Sequence, residues 1–120
     1  MKIEKSSNIN KLPVDVEGAK GTAIRWLISK EDGAENFALR MFELQPGGNT
    51  PLHTHPHEHE VFVLEGQGVF VYESKEYRFN AEYVIFVPGG REHQFRNTGD
   101  SVLRMLCIIP AVAIPPEKRG

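Results

Sequence analysis

Four of the five histidines fall in one run, Pro51-Leu52-His53-Thr54-His55-Pro56-His57-Glu58-His59-Glu60. The fifth, His93, stands far downstream in Val87-Pro88-Gly89-Gly90-Arg91-Glu92-His93. Neutral imidazole is the commonest protein ligand for transition metals. A cluster of imidazoles with one distant partner is the pattern of a metal site closed by folding. A solvated histidine-rich tract would show similar letters. Here the run leads straight into the apolar residues 61–64, which sets it beside a core rather than in a tail. Glu60 is a further donor next to the cluster. No Ser-His-Asp order, Gly-rich phosphate loop or pair of Cys-x-x-Cys motifs is present, so nucleophilic catalysis and phosphoryl transfer have no support.

The elements that must position these residues are strands. Residues 21–29 alternate, with Thr22, Ile24, Trp26 and Ile28 on one face. Residues 37–45 form a second strand, expected to end at Pro46-Gly47-Gly48-Asn49, where proline cannot join a central ladder. Residues 61–65, 69–73, 77–79, 83–87, 93–97 and 102–109 follow as strands, with a turn at Ser74-Lys75-Glu76 and a stop at Pro110. No stretch carries an apolar period of 3.6 residues over three turns. Short strands between Gly/Pro turns predict an all-β sandwich or barrel. The expected organisation is an N-terminal arm with loops over 1–19, a barrel over 20–110, and an extended C-terminal tail over 111–120.

The chain has 120 residues, eleven glycines and eight prolines, enough for one domain with its own core. A single cysteine, Cys107, rules out an intrachain disulfide and fits a reducing compartment. The first residues show no apolar signal core and no run could span a bilayer, so a cytoplasmic protein without a membrane partner is expected. The net charge is −2 with basic residues scattered, which argues against nucleic acid.

Two stretches resemble the paired motifs of the cupin superfamily. Gly47, His53-x-His55 and Glu60, with Gly66 and Gly68 near the end, resemble the first motif. Pro88-x-Gly90, His93 and Asn97 resemble the second. The glycine that usually opens the second motif is replaced by Glu82. The resemblance implies a double-stranded β-helix, a jelly-roll barrel with a metal in its mouth. The chain also resembles small single-domain cupins with four-histidine centres, in its length and in the phrase His-Pro-His-Glu-His-Glu-Val-Phe-Val-Leu-Glu-Gly. That likeness implies one divalent ion on His53, His55, His59 and His93, with manganese or iron as the metal. Affinity alone would favour zinc, nickel or copper. The same letters admit Glu60 in place of His59. Alternation allows one of the two to face inward, with Val61 and Val63 or with Phe62 and Leu64, and both sets are apolar.

The same alternation sends Phe95 and Asn97 inward with His93, and Leu103, Met105, Cys107 and Ile109 inward on the last strand. Phe95, Met105 and Cys107 are thus pocket candidates, and Arg40 joins them if Phe42 and Leu44 face the pocket. His57 and Glu58 are expected in solvent. Leu106 and Ile108 point outward beside Arg104, which predicts a covered outer face and a homodimer. Four neutral imidazoles leave the ion its full charge, so an anionic chelator such as an enolate, carboxylate or catecholate is the expected ligand or substrate. The readings that follow are a metal-dependent enzyme on a small organic oxyanion, first an oxygenase and otherwise a non-redox isomerase or lyase; a ligand-binding or sensing module; and a purely structural metal.

Overall fold

The computed structural model describes residues 1–111. Its nine strands are β1 (Leu12–Pro13), β2 (Lys20–Ile28), β3 (Phe37–Asn49), β4 (His59–Glu65), β5 (Gln67–Tyr72), β6 (Lys75–Asn80), β7 (Val84–Val87), β8 (His93–Asn97) and β9 (Leu103–Pro110). Apart from short 3₁₀ turns, as at Ser6–Asn8 and Lys30–Asp32, the described residues form an all-β fold, as the turn spacing predicts. The strands join one curled sheet in the order β6-β5-β8-β3-β9-β4-β7, with β2 and β1 branching from β3. The core fills the concave side. Leu44, Val63, Val87 and Leu103 are fully buried there, packed with Phe70, Phe79 and Phe95. Each such aliphatic side chain contributes about 1.5–3 kcal/mol.

β3 is the strand on which the site depends. Its first half pairs with β2 on one edge and β9 on the other, and its end reaches β8 through Asn49↔Arg96. Pro46-Gly47-Gly48 was expected to terminate it. Instead the strand carries these residues as a bulge, with Lys20↔Asn49 followed by Thr22↔Leu44 in the ladder to β2. Gly47 takes φ 80°, and a Cβ on Gly48 would lie 2.8 Å from the Lys20 carbonyl oxygen. The two glycines therefore let one strand turn the corner between two parts of the sheet.

Three other expectations need correction. Ile28 does not share the inner face with Thr22, Ile24 and Trp26, because a bulge separates Trp26↔Arg40 from Ile28↔Leu39 and leaves Ile28 exposed. The hairpin after β5 turns at Glu73 and Ser74, both at positive φ, so β6 starts at Lys75 rather than Tyr77. Within the expected arm, β1 pairs with β2, and Lys2 donates to the Leu27 carbonyl at 2.8 Å. Glu82, in the place of the motif glycine, adopts the left-handed conformation itself, at φ 73°. The expected extended tail lies outside the described residues beyond Ala111.

Candidate metal centre and its cavity

The histidine loop between β3 and β4 is stitched to β8 and to the turn before it. His53 and His93 exchange backbone hydrogen bonds of 3.2 and 3.1 Å. Gly90 donates to the His55 carbonyl at 2.8 Å. Gly89 packs so close to Pro56 that a Cβ would sit 2.2 Å from the Pro56 carbonyl oxygen. Thr50 closes the near end, donating its N–H to the Phe95 carbonyl and accepting the Phe95 N–H on Oγ1 at 2.9 Å each. These contacts bring His93 against residues forty positions earlier, a placement only the folded ladder provides.

The alternation left open by the sequence has a definite answer in β4. His59 is buried with Val61 and Val63, whereas Glu60 is exposed beside Phe62. Ring centroids of His53, His55 and His93 lie 4.9–5.0 Å apart. His59 lies 4.4 Å from His55 and 5.4 Å from His93. His57 is not in solvent. It is half-buried and stacks on His55 at 3.9 Å with nearly parallel rings. The period-two spacing of residues 53, 55, 57 and 59 was the signal that all four share a face, and Pro56 obscured it. Glu58 is exposed.

The donor atoms suit a metal. Nδ1 of His53, His55 and His93 contacts the carbonyl oxygens of Pro51, His57 and Arg91 at 2.8–2.9 Å. A carbonyl brings no proton, so each Nδ1 carries the hydrogen and each Nε2 keeps its lone pair free. His55 and His59 bring their Nε2 atoms within 2.6 Å of each other. Such crowding of basic nitrogens calls for a cation or a shared proton. Burial, more than the neighbouring His57, pulls the His55 pKa down to about 4. Burial and then Arg40 pull His59 to about 2. Burial also lowers His93 and His57. His55 and His59 are therefore held neutral, the state in which imidazole binds metals. His53, His55 and His93 form one group able to hold an ion, and His55, His57 and His59 form another that overlaps it.

Behind His59 sits a contact the sequence did not reveal. The ladders Arg40↔Cys107 and Val61↔Cys107 set β3, β9 and β4 side by side with these side chains on one face. Arg40 Nη2 lies 3.2 Å from His59 Nδ1 and 3.0 Å from Cys107 Sγ, and His59 Nδ1 lies 2.9 Å from the same sulfur. Burial pushes the Cys107 thiol above its ordinary pKa, with Arg40 acting against it. Arg40 is buried over the rings of Trp26 and Phe42. Only cross-strand register could have shown this cluster, and strand patterning does not encode register.

The histidines form one end of a cavity of about 580 Å³. Trp26, Phe42, Phe95, Met105 and Ile109 make its apolar wall, Arg40 and Cys107 also line it, and the β1 segment borders it.

A family model described as "Cupin domain" matches residues 40–109. The polyketide cyclase RemF from Streptomyces resistomycificus superposes with a TM-score of 0.89 at 35% identity, over 96% of this chain and 82% of its own. An oxalate-binding protein of Thermotoga maritima is 35% identical over 100 residues, 79% of this chain and 81% of that protein. The 1-methylthio-D-xylulose 5-phosphate methylsulfurylase of Rhodospirillum rubrum is 34% identical over 79 residues, and this chain spans about half, 51%, of its length. With both sequence motifs set on one curled β-sheet, and with relatives matched over most of their lengths, the chain belongs to the cupin family.

Proposed function

We propose that this protein is a metal-dependent enzyme acting on an organic oxyanion, an enolate or phenolate with an extended apolar body. The observation that carries this reading is the meeting of the histidine cluster with a largely apolar cavity of about 580 Å³. That volume falls in the range of small-molecule sites, roughly 300–1,000 Å³, and far exceeds what a two-carbon dicarboxylate fills. We assign the metal to His53, His55, His59 and His93. Manganese or iron, and equally zinc, nickel or copper, accept such a donor set. A divalent ion there would supply Lewis acidity to the oxyanion. The chain's own residues do the rest. The aromatic wall holds the apolar body and excludes water, the carbonyl contacts on Nδ1 of His53, His55 and His93 hold those three imidazoles in one orientation, and Arg40 and Cys107 lie against Nδ1 of His59.

The sequence puts an oxygenase first and a non-redox isomerase or lyase second; we favour the non-redox branch and extend it to ring closure of an enolisable substrate. The likeness to a polyketide cyclase over nearly the whole chain supports it. An oxygenase is the second reading, favoured by cavity space beside the histidines for a further small molecule. The test is turnover of enolisable aryl diketones and phenolic acids by chelator-treated and metal-restored protein, with and without oxygen, followed by mass spectrometry. Metal-dependent conversion under nitrogen, without added oxygen atoms, supports the first reading. Conversion that needs oxygen and adds its atoms moves the protein to the second. Binding without conversion in either gas would make it a binding module.

A further inference from the structure

Among the described residues, Arg40 is a buried cation without a counter-anion. It is 8% exposed, and among the described residues no carboxylate lies within 4.0 Å of its guanidinium. Nη2 donates to Cys107 Sγ at 3.0 Å and lies 3.2 Å from His59 Nδ1, neither of them an anion's oxygen, while Nε is buried with no hydrogen-bond partner among the described residues. By contrast Arg25, Arg91, Arg96 and Arg104 each meet a carboxylate, Arg25 in a part-buried pair with Glu43. A buried unpaired charge is costly, and replacing it with an apolar side chain of similar volume commonly stabilises a fold. Arg40 also lines the cavity, with its guanidinium 4.9 Å from the Phe42 ring centre and 5.5 Å from that of Trp26. A planar fork of donors laid on aromatic rings is a receptor for a planar anion next to an apolar body.

We propose that Arg40 is the specificity-determining anchor for a second anionic group on the ligand, a carboxylate or acidic phenolate, placed across the His59 ring from the metal end of the cavity. This deepens the functional reading and rests on it for the first oxyanion, at the histidines. The substrate class is then an aromatic or polycyclic molecule with two anionic oxygens at separate positions, rather than a simple diketone. The aryl body lies on Trp26 and Phe42, and the guanidinium takes the second anion.

The test uses 2-naphthoate as the probe and 2-naphthalenemethanol as its neutral counterpart, with metal-loaded and chelator-treated protein. In chelator-treated protein Arg40 is the one Lys or Arg side chain among the described residues that line the cavity. 2-Naphthoate should raise the melting temperature and the alcohol should not. Arg40→Met should weaken 2-naphthoate binding by about tenfold or more, the size expected for losing a charge-assisted hydrogen bond. Without any anion, Arg40→Met should melt no lower than the native chain, because an unpaired buried charge has been removed. An equal 2-naphthoate shift in Arg40→Met, no shift in the native chain, or loss of folding in both Arg40→Met and Arg40→Gln would overturn the proposal; the last would make Arg40 a structural residue. If the protein holds no metal but still binds 2-naphthoate through Arg40, the metal reading fails and the anchor stands.

Discussion

The direction in which one side chain points underlies the donor set we propose. His59 is buried at the start of β4 and Glu60 faces out, so the two residues should respond differently to substitution. His59→Ala is expected to lose most of the bound metal, and Glu60→Gln to keep nearly all of it, as read by elemental analysis. The reverse result would transfer the site to the carboxylate. The same burial sets a pH dependence. The folded pKa values of His55 and His59 lie at about 4 and about 2, below the ordinary value of 6.5. Below pH 6.5 the unfolded chain therefore takes up protons that the folded chain refuses, and stability falls. Metal-free protein should keep its full melting temperature above about pH 6.5 and lose it steadily down to about pH 4 and beyond. A melting temperature that stays flat from pH 7 to pH 5 would mean the histidines are solvated.

At the scale of elements, the site depends on how closely the loop carrying His55 and His57 approaches the turn before β8. Gly89→Ala would place a Cβ 2.2 Å from the Pro56 carbonyl oxygen, so the loop must move. Metal affinity is expected to fall by tenfold or more while the far core, around Phe79 and Leu44, keeps the fold; unchanged affinity would show the loop free to adapt. Glu82 carries the opposite expectation. It occupies a left-handed turn at φ 73° that glycine adopts at no steric cost, so Glu82→Gly should raise stability by up to about 1 kcal/mol in denaturant titration. Much of this level was legible in the sequence. Period-two alternation identified the inner faces of β8 and β9, and Gly/Pro pairs marked most turns. What escaped it was non-local or depended on backbone irregularity. The bulge at Gln45–Gly48 let β3 pass a proline, the turn at Glu73 and Ser74 used two residues without glycine, and the Arg40–Cys107–His59 contact required the register of three strands.

At the scale of the whole molecule, one patch on the outer side of the sheet is apolar around Glu60. Phe62, Val84, Phe86 and Ile108 are exposed on β4, β7 and β9, with Leu106 and Leu39 beside them. A monomer gains nothing from such a face, and a second copy would cover it. We therefore propose a homodimer across these strands. Phe86→Glu is expected to shift sedimentation at micromolar concentration from dimer to monomer, with the histidine cluster on the concave side still able to take metal. A native chain that sediments only as monomer would contradict the assembly. The separation of roles follows from the pleat. Alternate residues of the same strands face the cavity, with His59, Val61 and Cys107, and the outer surface, with Phe62 and Ile108.

The central claim is that the histidine cluster is a metal centre, and X-ray absorption at the edge of the metal retained by purified protein tests it most directly. The predicted result is one ion per chain whose fine structure fits four imidazoles, from His53, His55, His59 and His93, with light oxygen atoms completing the shell. Absence of a stoichiometric metal, or a shell poor in imidazole, would contradict it.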